Sequence, residues 1–183
     1  MTKTTLIAPI AALAASVALV SPAFADGHSE AAPTLEEVLA SDKRGEDGKR
    51  DQYRRPVETL GFFGVEPAMT VAEYGPGGGW YTRVLAPYLM PAGQYIAFNS
   101  DSDGREYSSR AREARAKSWT ERFKSGVAEM MGGEASDVTA FETDEMPEEL
   151  AGTVDRVLIF RSMHGLNIGN NADDVLKAAR MML

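Results

Sequence analysis

The chain has 183 residues with 44% hydrophobic and 25% charged residues, which predicts one globular domain and excludes a disordered or fibrous chain. Its formal net charge is −8, and a chain this acidic lacks the basic face that nucleic acid binding requires, so we expect no nucleic acid partner. The chain has no cysteine and two histidines, which excludes a disulfide scaffold and the usual zinc sites, so we expect no metal.

Residues 1–25 have the layout of a secretory signal peptide. Lys3 provides a positive start, Leu6–Val20 is an uncharged apolar run, and small residues precede an expected cleavage after Ala25. A transmembrane anchor is the weaker alternative, because the run is short for a span of about 20 residues and no basic cluster follows it. We therefore expect the mature chain to begin at Asp26, without a stable membrane anchor, and to be periplasmic or secreted.

Residues 26–50 are predicted to form a flexible leader that contains one short helix. The segment Thr34-Leu35-Glu36-Glu37 matches a capping box, which predicts a helix that ends near Ser41. The charged segment Asp42–Asp51 contains two glycines and is predicted to be a linker or loop.

Residues 51–183 alternate between strand and helix patterns. The predicted elements are a helix from Pro56 to Gly64, a strand Met69–Tyr74, a helix Trp80–Leu89, a strand Gln94–Asn99, a largely helical region Gly104–Met131, strands Asp137–Phe141 and Thr153–Phe160, and a helix Ala172–Leu183 capped by Asn171. This order predicts an α/β fold of the doubly wound, Rossmann-like type with a mostly parallel sheet. The fourth strand would be an open edge and no stop signal follows the last helix, so we expect the fold to be truncated there. Such an edge could also recruit a second copy of the chain.

The strongest chemical signal is the segment Glu73-Tyr74-Gly75-Pro76-Gly77-Gly78-Gly79-Trp80, between a predicted strand and a predicted helix. Gly75 would let the chain turn sharply, Gly77 would let a ligand approach the backbone, and Gly79 would let the helix pack closely on the strand. The start of the helix then offers unpaired N–H groups to a carboxylate or phosphate.

The glycine spacing favours one kind of ligand over another. A dinucleotide turn has the pattern G-x-G-x-x-G, but the third glycine would then fall on Trp80 or Thr82. This opposes a nicotinamide-dependent oxidoreductase. An acid directly beneath the turn, Glu73, would repel a pyrophosphate and would suit the α-ammonium of a methionine end.

An acid followed by G-x-G-x-G resembles the first motif of the class I S-adenosylmethionine-dependent methyltransferases. The flanking segments resemble a family of exported, predicted methyltransferases of bacteria, over roughly residues 50–183. These segments are Arg54-Arg55-Pro56, Glu58-Thr59-Leu60, Phe62-Phe63-Gly64-Val65, Pro76-Gly77-Gly78-Gly79-Trp80-Tyr81-Thr82 and Leu85-Ala86-Pro87-Tyr88-Leu89.

The resemblance implies S-adenosylmethionine as cofactor and assigns further positions. An acid at the end of the second strand would hold the ribose; Asn99 stands there, and Asp101 follows two residues later. A polar residue after the third strand would lie near the adenine, which points to Glu142 and Asp144, although both could be solvated loop acids.

The segment after the fourth strand carries the candidate catalytic residues. His164 is placed to act as a general base and Arg161 to hold a carboxylate of a small-molecule acceptor, because ligands bind beyond the carboxyl ends of parallel strands. An ordinary loop histidine is the alternative, since methyl transfer can proceed by positioning alone. The basic stretch Arg105–Lys124 is interpreted as a solvated helix face. The sequence thus favours a methyltransferase, with a non-catalytic periplasmic binding protein of the same fold as the alternative.

Overall fold

The computed structural model describes residues 32–103 and 105–183. The predicted signal peptide and residues 26–31 of the predicted leader lie outside these ranges. Within them, no helix has both the length and the apolar character needed to cross a membrane.

Four parallel strands form the central sheet. They are β1 (Thr70–Tyr74), β2 (Gln94–Asn99), β3 (Thr139–Glu142) and β4 (Arg156–Ile159), in the spatial order β3-β2-β1-β4. Each strand falls within or beside an apolar run that the sequence marks as a strand. The prediction of an α/β fold with a parallel sheet is therefore confirmed.

Eight α-helices surround the sheet in the described residues. They are α1 (Leu35–Ala40), α2 (Asp51–Arg54), α3 (Pro56–Phe62), α4 (Thr82–Leu89), α5 (Arg110–Lys117), α6 (Trp119–Met131), α7 (Met163–Ile168) and α8 (Ala172–Met182). The predicted helical region 104–131 is thus two helices, which meet at Ser118. The helix predicted from Trp80 begins two residues later, because the glycine turn continues through Tyr81.

Alternate residues along the strands pack into two separate hydrophobic cores, because successive side chains of a strand point to opposite faces of the sheet. On one face, Val71 and Tyr95 pack in the same cluster as residues of α4 and α6. On the other face, Tyr74 and Phe98 pack with Val175 and other residues of α8. Helices therefore cover both faces, as a doubly wound sheet requires.

The strand order positions the site. From β1 the chain proceeds to β2 and β3 on one side, and it then returns to place β4 on the other side of β1. The carboxyl ends of β1 and β4 consequently flank the point where the strand order reverses, which is where open α/β sheets bind ligands.

The segment before the sheet differs from the predicted leader. Its first part is the expected helix, capped by a complete capping box of Thr34 and Glu37. The expected linker is instead 3₁₀-helical over Asp42–Arg50, with a kink at Gly45, whose φ is 47°. The buried guanidinium of Arg44 donates to both carboxylate oxygens of Asp51 at 2.7 Å, so an ion pair between residues seven apart holds a segment whose composition indicates a loop.

Candidate functional site

The glycine turn follows β1 directly and is built from left-handed backbone. Gly75, Gly77 and Gly79 have φ angles of 58°, 60° and 75°, values that side chains disfavour. The expected sharp departure at Gly75 is therefore confirmed. At Gly79 an added Cβ would lie 2.9 Å from the guanidinium of Arg83, so this glycine makes room for an arginine of α4 and not for the strand.

The middle of the turn is open. A Cβ added at Gly77 would find only the Gly75 carbonyl oxygen, at 3.8 Å, and one added at Gly78 would find nothing within 4 Å. Among the described residues, the N–H groups of both glycines make no hydrogen bond. The turn thus presents bare backbone and unpaired donors, which suit an anionic group.

Glu73 lies beneath the turn and is 3% exposed. Its Oε2 accepts hydrogen bonds from the Tyr95 hydroxyl at 2.6 Å and the Thr82 hydroxyl at 3.0 Å. Oε1 accepts none from the described residues. Burial raises the pKa of Glu73 to about 7, although both hydrogen bonds oppose the shift.

A large cavity of about 940 Å³ opens at the carboxyl ends of the strands. Its walls include the glycine turn, Asn99 from β2, Glu142 from β3 and Arg161 after β4. The structure therefore brings together four of the predicted site elements in one cavity, of a size typical for small-molecule sites.

Three acids lie at or just after the carboxyl ends of β2 and β3, and one of them lines the large cavity. Asp101, Glu142 and Asp144 form one cluster, in which one carboxylate oxygen of each residue lies within 4.8 Å of the other two. Only Glu142 also lines the cavity, and its Oε2 accepts from the Ser102 N–H at 2.7 Å. Asp101 and Asp144 do not line the cavity.

A second cavity of about 370 Å³ lies on the other side of the glycine turn. Glu73 lines it, together with Arg54 and Tyr81. The Arg54 guanidinium lies over the rings of Trp80 and Tyr81, with its Cζ 4.6 and 5.4 Å from their centroids. Its buried Nε has no partner among the described residues, and burial lowers the pKa of this guanidinium.

The segment after β4 brings one predicted catalytic residue to the site but not the other. Arg161 lines both cavities and has a φ of 57°, rare for a residue with a side chain. His164, on α7, is exposed and lines neither cavity, although its neighbour Gly165 lines the large one. Phe160 stacks on Tyr81 with ring centroids 3.6 Å apart, which joins this segment to the glycine turn.

Sequence reasoning missed two parts of the site. Tyr95, whose hydroxyl holds Glu73, appears in the sequence only as an apolar residue of a strand. The basic stretch interpreted as a solvated helix face contributes four arginines and Trp119 to the large cavity wall. An apolar stripe at helical spacing on α6, which includes Trp119 and Phe123, is the signal that could have indicated this wall.

No protein-family model, no curated protein and no solved structure matches this chain.

Proposed function

We propose that this protein is an S-adenosylmethionine-dependent methyltransferase that acts on a small-molecule acceptor. The observation that carries the proposal is the glycine turn: three left-handed glycines after β1 leave open backbone at Gly77 and Gly78, against a cavity that also contains the ends of β2 and β3. The open backbone lies at the carboxyl end of β1, where open α/β sheets bind their ligands.

The residues on either side of the turn fit the cofactor's amino-acid end. The free Oε1 of Glu73 can accept from an α-ammonium, and a bound cation would favour the ionised carboxylate. The N–H groups of Gly77 and Gly78 can donate to the α-carboxylate, as can the Arg54 guanidinium.

The other end of the cofactor would lie toward β2 and β3. Asn99 both donates and accepts hydrogen bonds and lines the large cavity, so it can pair with ribose hydroxyls. Glu142, also on this wall, can accept from a hydroxyl or an adenine amino group. Asp101 and Asp144 would not contact the cofactor. They would add negative charge next to the Glu142 carboxylate, with which they cluster.

The chain's own contribution to methyl transfer would be positioning. The bound sulfonium supplies an already activated methyl group, so the protein has to hold donor and acceptor in line. The exposed side chain of His164 is consistent with transfer that needs no general base.

The same position of His164 favours a second candidate, a non-catalytic binding protein that retains the fold. For either function we propose export to the periplasm or beyond, on the basis of the predicted signal peptide in residues 1–25.

Titration calorimetry of the purified protein with S-adenosylmethionine and S-adenosylhomocysteine tests the proposal, with NAD as the control ligand. We expect heat from both sulfur compounds and none from NAD, because Glu73 disfavours a pyrophosphate. Formation of S-adenosylhomocysteine over a panel of small acceptors would support the enzyme, and binding without turnover would support the binding protein. No heat from either sulfur compound would contradict the methyltransferase.

A further inference from the structure

One wall of the large cavity is formed by arginines from α5, α6 and the segment before them. The four are Arg105, Arg112, Arg115 and Arg122. None of them has an acidic partner among the described residues. Arg122 donates only to the Ser118 hydroxyl and the Arg115 carbonyl.

The base of this wall is apolar. Trp119, Phe123, Val127 and Met130 of α6 line the same cavity. Their spacing along the helix places them on one face. The rings of Trp119 and Phe123 stack with centroids 5.2 Å apart, and both side chains are only half-buried. The wall thus offers aromatic surface that no residue of the described chain covers completely.

The charge of this wall is opposite to that of the whole chain, which carries −8. Of the acids among residues 32–103 and 105–183, only Glu142 lines the large cavity, and its carboxylate already accepts from the Ser102 N–H. The positive charge of the four arginines is therefore not neutralised from within the cavity. An anion would be attracted to this wall while the rest of the acidic chain repels it.

We infer that the methyl acceptor is an amphipathic organic anion, with an apolar body on Trp119 and Phe123 and a carboxylate or phosphate paired with Arg112 and Arg115. The inference rests on the proposed function, because donor and acceptor must occupy one cavity. Guanidinium groups pair with carboxylate or phosphate in bidentate geometry, and aromatic rings hold the body by stacking. The apolar base distinguishes this wall from a site for a free inorganic ion.

The test compares matched ligands by titration calorimetry on the full chain. The probes are 2-naphthoate, 2-naphthyl phosphate, the neutral 2-naphthylmethanol and inorganic phosphate. We expect the two aromatic anions to bind at least tenfold more tightly than the alcohol and than inorganic phosphate. The relative affinities of 2-naphthoate and 2-naphthyl phosphate then identify which acid group is preferred.

Paired variants locate the site. Arg112→Gln with Arg115→Gln should reduce the affinity for the preferred anion at least tenfold. Arg110→Gln with Arg180→Gln removes the same charge from exposed positions outside both cavities and should leave the affinity within twofold. Equal affinity for acid and alcohol, or equal losses in the two double variants, would overturn the inference. S-adenosylhomocysteine titrated into the same unmodified protein tests the proposed function separately. Its failure to bind, with the naphthyl anions still binding, would contradict the methyltransferase and would leave an anion site that is not a methyl-acceptor site.

Discussion

The turns that follow β1 and β4 lie side by side at the site, and they reach left-handed backbone in different ways. After β1 the left-handed positions are glycines; after β4 the position is Arg161, with a φ of 57°. A Cβ at Gly75 would lie 3.6 Å from the Ser162 hydroxyl, so the two turns nearly touch. Under the proposed function, the first turn presents its backbone to the ligand, whereas the second accepts backbone strain to present a side chain.

A side chain added to the turn after β1 should have the largest effect, a loss of ligand affinity. Gly77→Asp would place a carboxylate in the open space of the turn and against the ligand's own carboxylate. We expect S-adenosylhomocysteine affinity to fall at least roughly a thousandfold, which corresponds to about 4 kcal/mol. Titration calorimetry measures this loss.

The control for this variant is Gly61→Asp, which adds the same side chain at an exposed glycine of α3 with open space around it. It should retain full affinity. Unchanged binding by Gly77→Asp would show that the first turn does not contact the ligand and would remove the contrast between the two turns.

The buried acid beneath the first turn should produce the next largest effect, in the pH dependence of stability. The pKa of Glu73 is raised to about 7 from 4.5, so the folded chain holds a proton that the unfolded chain releases. This contribution to stability is fully present below pH 4.5 and is lost as the pH rises through 7. The shift corresponds to on the order of 3 kcal/mol of unfolding free energy.

Urea unfolding between pH 4.5 and 8 measures this contribution. Glu73→Gln, which cannot ionise, should lack the decline, and Glu129→Gln, an exposed residue of α6, should retain it. The same decline in all three proteins would show that Glu73 is not the titrating group.

A substitution in the turn after β4 should have the smallest effect, a change in the free energy of unfolding. Arg161→Gly removes a side chain from left-handed backbone, and we expect it to raise the unfolding free energy by about 1 kcal/mol. Arg161→Lys keeps both the charge and the backbone strain and should match the unmodified protein. Equal stabilities of the two variants in urea unfolding would show that the arginine is not strained.

The fold was largely predictable because its determinants are local. Short segments contain the apolar runs of β1, β2 and β4 and the capping box of α1. The left-handed backbone of the turn is predictable because glycine favours it. The 3₁₀ helix over Asp42–Arg50 was not predictable, since the Arg44–Asp51 pair and a contact to α4 hold it in place.

The site was most predictable where a residue ends a strand. Asn99 and Glu142 end neighbouring strands that pair in register, so both lie at one edge of the sheet and line the cavity. Asp101 lies in the loop after β2 and His164 lies on α7, and neither lines the cavity, because the course of the chain beyond a strand depends on tertiary packing. The arginine wall depends on how α5 and α6 lie against the cavity; the apolar stripe of α6 indicates that this helix has a partly buried face, but the arginines themselves have the pattern of a solvated surface.

Asp47 gives the segment before the sheet an influence on the electrostatics of the site. Its carboxylate pairs with Arg83, which lines both cavities, and its carbonyl oxygen accepts from the Trp80 indole at 3.0 Å. This ion pair neutralises the charge of Arg83. The Asp47 carboxylate, 36 residues upstream of Arg83 in the sequence, thereby lowers the positive charge that Arg83 presents beside Gly78, whose carbonyl oxygen accepts from the same guanidinium.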